Sequence, residues 1–119
     1  GGSPHTQSNS DPGPGYDLQD EGAFNSTATR GEYTYTPGDL VMARSSKVDG
    51  ASAQFFFVTG NNGAMLDDQG TYVVFGHLAE ATKADGLAIL QAMVASAAAN
   101  QTDVPDPEVT INSVTITER

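Results

Sequence analysis

The chain has no cysteine. A disulfide framework and a thiolate metal site are therefore excluded from these residues, and the redox compartment leaves no mark on the sequence. Basic side chains are scarce too, five against fifteen acidic ones, for a formal net charge of -10. That balance repels a phosphate backbone and argues against a nucleic-acid partner. The acids (among them Asp11, Asp17, Asp20, Glu21, Asp67, Asp68, Asp103, Asp106 and Glu108) are scattered and not blocked, the pattern of a solvated surface. No apolar run is long enough to cross a membrane as a helix. Nor does the N-terminus join a basic region to an apolar stretch; no signal peptide is visible, a truncated start would remove one, and localisation stays open. The two histidines, His5 and His77, lie far apart without ligand-type spacing. They read as surface or edge residues, and neither a metal nor another cofactor is expected.

What is present fits one soluble globular domain: 119 residues, 38% of them hydrophobic. Residues 1–38 are rich in Gly, Ser, Thr, Asn and Pro, with isolated apolar residues at Tyr16, Leu18, Phe24, Tyr33 and Tyr35. They read as a long irregular surface loop. A Pro37-Gly38 turn signal then precedes a short strand, Asp39 to Ala43, and a polar connection over 45–52. The next strand, Gln54 to Thr59, has period two: Gln54, Phe56 and Val58 share one face, Phe55 and Phe57 the other. Both faces are apolar except at Gln54, so one amide side chain stands among aromatic rings. Turns are expected at Gly60-Asn61-Asn62-Gly63 and Asp67-Asp68-Gln69-Gly70, and a third strand from Tyr72 to Leu78. Thr82 followed by Asp85 imitates a capping box opening a helix to about Ala98, with Leu87, Leu90, Met93 or Val94, and Ala97 as its buried stripe. A last strand is expected from Val109 to Thr117, with a bulge near Asn112-Ser113 turning Val109/Ile111 and Val114/Ile116 to one side. The fold class is mainly β, four strands and one α-helix.

Taken in order, Gly38-Asp39-Leu40-Val41-Met42-Ala43, Ala53-Gln54-Phe55-Phe56-Phe57, Met65-Leu66-Asp67 and Tyr72-Val73-Val74-Phe75-Gly76 resemble the cyclophilin family of peptidyl-prolyl isomerases. Its signature reads approximately G-x-[LV]-x-M-A, S-Q-F-F-I, x-L-D and [YH]-x-V-F-G. Gly1-Gly2-Ser3-Pro4 is similar to the family's G-G-D-P, Gly13-Pro14-Gly15-Tyr16 to its G-G-P-G-Y, Asp20-Glu21 to its D-E, and Val109 to Glu118 to its closing strand. The resemblance spans essentially the whole chain and is to the bacterial type. It implies a β-barrel of eight strands with a helix capping each end. By that measure residues 1–119 are a partial domain: 1–38 the Gly/Ser/Pro-rich loop region, 39–119 the later barrel strands and helix, with the early strands and first helix missing.

The activity implied by the resemblance is cis/trans isomerisation of X-Pro peptide bonds in proline-containing polypeptides, assisting protein folding. Such an enzyme needs no nucleophile or metal. It must bind the twisted amide better than either planar isomer, so the lack of a Ser/His/Asp set is no argument against activity. By resemblance Phe56 and Leu66 line the pocket for the proline ring, with Tyr72 at its rim. Gln54 matches the family glutamine that hydrogen-bonds the substrate backbone and orients a catalytic arginine. Ala43 and Arg44 hold the Ala-Asn positions whose main chain pairs with the residue before proline, and the change to arginine leaves that main chain intact. Met65 stands where some members have tryptophan or phenylalanine, and without an indole N–H it weakens the case for cyclosporin binding. The catalytic arginine itself, in an F-H-R segment just before Gly-Gly, is not in this chain, and Arg30, Arg44 and Arg119 do not match it. The expectation is an isomerase in its complete form and an inactive, aggregated or partly folded fragment in isolation. Two rivals stand beside it: a cyclophilin-like module that binds proline peptides without turnover, and a secreted β-rich surface domain unconnected with isomerases.

Overall fold

Strand β1, Asp39–Arg44, starts from a turn that its own residues dictate. In Thr36-Pro37-Gly38-Asp39 the Asp39 N–H donates to the Thr36 carbonyl at 3.1 Å, and Gly38 has φ +97°. Proline fixes the first central position and glycine supplies the positive φ of the second, the requirement of a type II turn. The computed structural model describes residues 15–19, 34–44, 51–63, 66, 72–99, 101 and 105–118. Within them β1 is the middle strand of a three-stranded antiparallel sheet, ordered β2-β1-β3, with β2 at Ala51–Phe57 and β3 at Val74–His77. The turn is tied into both neighbours. Gly38 N–H donates to Val58 O, Val58 N–H to Asp39 O, and Leu78 N–H to Gly38 O, at 2.8, 2.9 and 3.0 Å.

Register decides which side chains meet. Val41 pairs with Phe56 on one side and Val74 on the other, so these three share a face. Val41 is 0% exposed and forms the buried cluster with Tyr35 and Val58, against which Phe56, Leu66, Tyr72 and Val74 pack. The opposite face carries Phe55 and Phe57, whose rings meet edge-on at 6.4 Å, and Phe75 edge-on to Phe55 at 6.5 Å. Phe75 reaches that face because β3 has one extra residue between the Leu40–Gly76 and Val41–Val74 pairs.

After β3 a turn of 3-10 helix, Glu80–Thr82, runs directly into helix α1, Lys83–Ala99. Alanine-rich composition favours the helix, and Gln101 ends it with φ 53° and an N–H donating to Ala98 O at 3.1 Å. Gly86 lets the helix approach Leu78, whose methyl carbons stand 3.0 and 3.1 Å from where a Cβ would lie. From within the helix Ser96 holds the chain that follows it: its hydroxyl donates to Asp106 O at 2.7 Å and accepts from Asp106 N–H at 3.1 Å.

Several expectations need correction. The described residues make an open three-stranded antiparallel sheet and one helix, not a closed barrel, and the strands, of six, seven and four residues, together match the helix, of seventeen, so the β character is borne out only in part. Val109 to Thr117 alternates like a strand but is none: no ladder partner meets it among the described residues, and Val114 and Ile116 are exposed. A strand exists only through its partner's hydrogen bonds. The capping box is absent because Thr82 already lies in the 3-10 turn, and its hydroxyl points back to Ala79 O at 3.5 Å. The helix stripe is only half-buried: Leu87, Leu90, Met93 and Ala97 lie on it, whereas Val94 is exposed. β2 starts at Ala51, inside the expected connection, and β3 is trimmed to four residues. The 61–63 turn is present as a 3-10 turn. Most of the expected loop over 1–38, the 67–70 turn and His5 lie outside the described residues.

Candidate functional site

Phe56, Leu66 and Tyr72, which come from β2 and from chain segments on either side of the 67–71 stretch, all pack on the buried cluster of Tyr35, Val41 and Val58. Phe56 and Tyr72 meet edge-on, centroids 6.1 Å apart at 79°, and Tyr72 meets Tyr35 likewise at 6.4 Å and 78°. This orientation sets the electropositive ring edge against the negative face. All three candidate residues are half-buried, so each leaves part of its apolar surface to a ligand. An apolar ring such as that of proline could lose water against such a group of side chains, at about 25 cal/mol per Å² of apolar surface covered.

Gln54 sits apart from that cluster for a reason in the register. Met42 pairs with Phe55 and Arg44 with Ala51, so Ser52, Ala53 and Gln54 together lie opposite the single residue Ala43. Extra residues in one strand bend it and re-aim its side chains. Gln54 is exposed in consequence, and its side chain makes no hydrogen bond among the described residues. Alternation along β2 puts it on the side of Phe56, at the end of the strand where the ladder is irregular. Ala43 and Arg44 are half-buried at the end of β1, across the ladder from the same bulge. The candidate hydrogen-bonding residues are thus brought together by one irregularity, and the candidate ring-binding residues by one core. Met65 lies outside the described residues.

Three features escaped sequence reasoning. Tyr35, read as an isolated apolar residue of a loop, is buried and bonded to Tyr72. Leu18 forms a bridge to Ala51, its N–H donating to Ala51 O at 2.7 Å, which extends the row that starts at Arg44. Asp39 is buried and accepts from the Thr36 N–H at 2.8 Å, the Thr36 hydroxyl at 3.1 Å and His77 Nδ1 at 2.8 Å. Only the last had a signal: an acid directly after Pro-Gly at the start of an apolar strand. His77 itself is largely exposed, at a sheet edge as expected.

A family model described as "Cyclophilin type peptidyl-prolyl cis-trans isomerase/CLD" matches residues 1–116. The chain belongs to the cyclophilin family. Comparison with curated proteins and with solved structures gives no match for it. Cyclophilins as a family are peptidyl-prolyl isomerases that take proline-containing peptides. Among the described residues of this cyclophilin no group of three or more His, Asp or Glu side chains could hold a metal ion, and no helix is long and apolar enough to cross a membrane.

Proposed function

We propose that the protein binds proline-containing segments of polypeptide chains and catalyses cis/trans exchange of their X-Pro bonds, with folding chains as substrates. The observation that carries this reading is the packing of Phe56, Leu66 and Tyr72 on one core in a chain of cyclophilin sequence. Twisting an X-Pro bond breaks amide resonance, at a barrier of about 18–20 kcal/mol. The protein lowers it by holding the ring while the amide turns. In this reading the proline ring rests on Phe56, Leu66 and Tyr72, and the main chain at Ala43 and Arg44 pairs with the residue before proline. Gln54, exposed at the bulge, offers an N–H donor and a carbonyl acceptor to the substrate backbone. Stabilisation counts only where it is greater for the twisted amide than for the planar isomers.

Neither Arg30, Arg44 nor Arg119 matches the family's catalytic arginine. The 119 residues by themselves are accordingly proposed to bind without appreciable turnover, the full-length protein to turn over. Recognition without turnover is the second reading for the full-length protein as well. One experiment separates the two: exchange spectroscopy on the cis and trans lines of a blocked Ala-Ala-Pro-Phe peptide, with the full-length protein and with this chain. Accelerated exchange supports the enzyme, shifted lines without acceleration support the binder, and unchanged lines at millimolar peptide overturn both.

A further inference from the structure

Tyr72 lies two residues ahead of β3 and has no strand partner for its own main chain among the described residues. Both of its backbone polar groups are met by one side chain. The Tyr35 hydroxyl donates to Tyr72 O at 2.9 Å and accepts from Tyr72 N–H at 2.9 Å, across 37 residues of sequence. A phenol can do both at once because its oxygen is donor and acceptor together. Among the described residues it does for Tyr72 what a neighbouring strand would do.

The clamp is rigid at its other end. Tyr35 is 4% exposed and belongs to the cluster with Val41 and Val58. It directly precedes the Thr36–Asp39 turn, which is bonded into both β1 neighbours. Gly63, in the turn three residues before Leu66, lies so close that an added Cβ would stand 3.0 Å from Tyr35 O and 2.8 Å from Val58 Cγ1. Tyr35 therefore touches the chain on both sides of the 64–71 stretch, from which two of the three candidate ring-binding residues emerge or which they border. The edge-on contacts make a row, Tyr35 to Tyr72 to Phe56, with Tyr72 in the middle.

We infer that Tyr35 is a positioning residue: its hydroxyl fixes the backbone of Tyr72, and through it the angle of the Tyr72 ring against Phe56 where a proline ring would rest. This rests on the proposed peptide-binding role. Tyr35 touches no substrate. Its effect is to keep the rim in one arrangement, so that binding does not have to order it.

The test is Tyr35→Phe in the full-length protein, which keeps the ring and removes both hydrogen bonds. Blocked Ala-Ala-Pro-Phe is titrated by NMR against the wild type, this variant and Leu78→Ala. Leu78 lies against Gly38 and Gly86 and belongs neither to the buried cluster nor to the row of rings. Loss of two partly buried hydrogen bonds predicts affinity about tenfold weaker for Tyr35→Phe. Leu78→Ala should melt earlier and keep wild-type affinity, which a merely structural role for Tyr35 would not distinguish. In a Tyr72→Leu background Tyr35→Phe should cost no further affinity. Unchanged affinity in Tyr35→Phe, or equal losses with and without Tyr72, overturns the inference. If Tyr35→Phe does not fold, hydrogen exchange of the unaltered protein decides: the Tyr72 amide should be protected, and a fast-exchanging Tyr72 amide refutes the clamp. A wild type that takes up no peptide refutes the functional reading and the affinity claim with it, while the exchange measurement still rules on the clamp.

Discussion

Gln54→Ala separates a substrate contact from a structural one more cleanly than any other substitution in the sheet. Gln54 is exposed at the bulge opposite Ala43, and its side chain makes no hydrogen bond among the described residues. Removing an exposed side chain of that kind leaves no buried donor unpaired and opens no cavity, so stability should hold within about 0.5 kcal/mol. For a domain of this size that corresponds to a melting shift of about 4 °C or less. Loss of a donor aimed at a transition state costs about 2.7–4 kcal/mol in a water-excluded site. At this exposed position the lower figure is the ceiling, and a fall of tenfold or more in kcat/KM, about 1.4 kcal/mol, is expected. The assay is protease-coupled isomerisation of an Ala-Ala-Pro-Phe anilide by the full-length protein at low temperature, where uncatalysed exchange takes tens to hundreds of seconds, paired with a thermal melt of the same sample. Unchanged kcat/KM with unchanged melting would refute the assigned role. A joint fall in both would mean that Gln54 supports the strand.

Val41→Ala should destabilise by about 2–3 kcal/mol, because Val41 is fully buried between Phe56 and Val74 and its lost methyls leave a cavity; the midpoint of urea unfolding measures it. Gly63→Ala should cost about 1–3 kcal/mol in the same titration, since its new Cβ meets Tyr35 backbone at 3.0 Å, which cannot swing aside as a side-chain tip would. Asp39→Asn should lower the melting temperature by an amount equivalent to about 1–3 kcal/mol, because the buried carboxylate accepts two hydrogen bonds from Thr36 and one from His77, and an amide nitrogen cannot accept. A wild-type melt for that variant would show that the Thr36–Asp39 turn is held by its main chain alone.

How far the sequence could be read follows from the range of each interaction. Thr36-Pro37-Gly38-Asp39 was legible because a fixed proline φ and a glycine at φ +97° act within four residues. The alternation that separates Phe56 from Phe55 and Phe57 was legible for the same reason, as was the helix from Lys83, with Leu87, Leu90, Met93 and Ala97 along one side. The family was also readable in one dimension, since a family model matches residues 1–116.

Pairing was not legible. Whether Gln54 points into the cluster or out to water depends on how Ser52, Ala53 and Gln54 meet Ala43 across the ladder, and nothing in β2 alone encodes that meeting. Val109 to Thr117 has the alternation of a strand, but alternation gives a face and supplies no partner, and among the described residues the segment pairs with none. The Tyr35 hydroxyl finds Tyr72 only because the sheet brings residues 37 apart in sequence within 2.9 Å. By itself the sequence determined turns, the alternating faces of β2 and the helix, all set by backbone sterics and periodicity over a few residues. Tertiary structure alone decided register, edge exposure and which side chain holds the rim, because each depends on a hydrogen bond between segments that sequence does not place side by side.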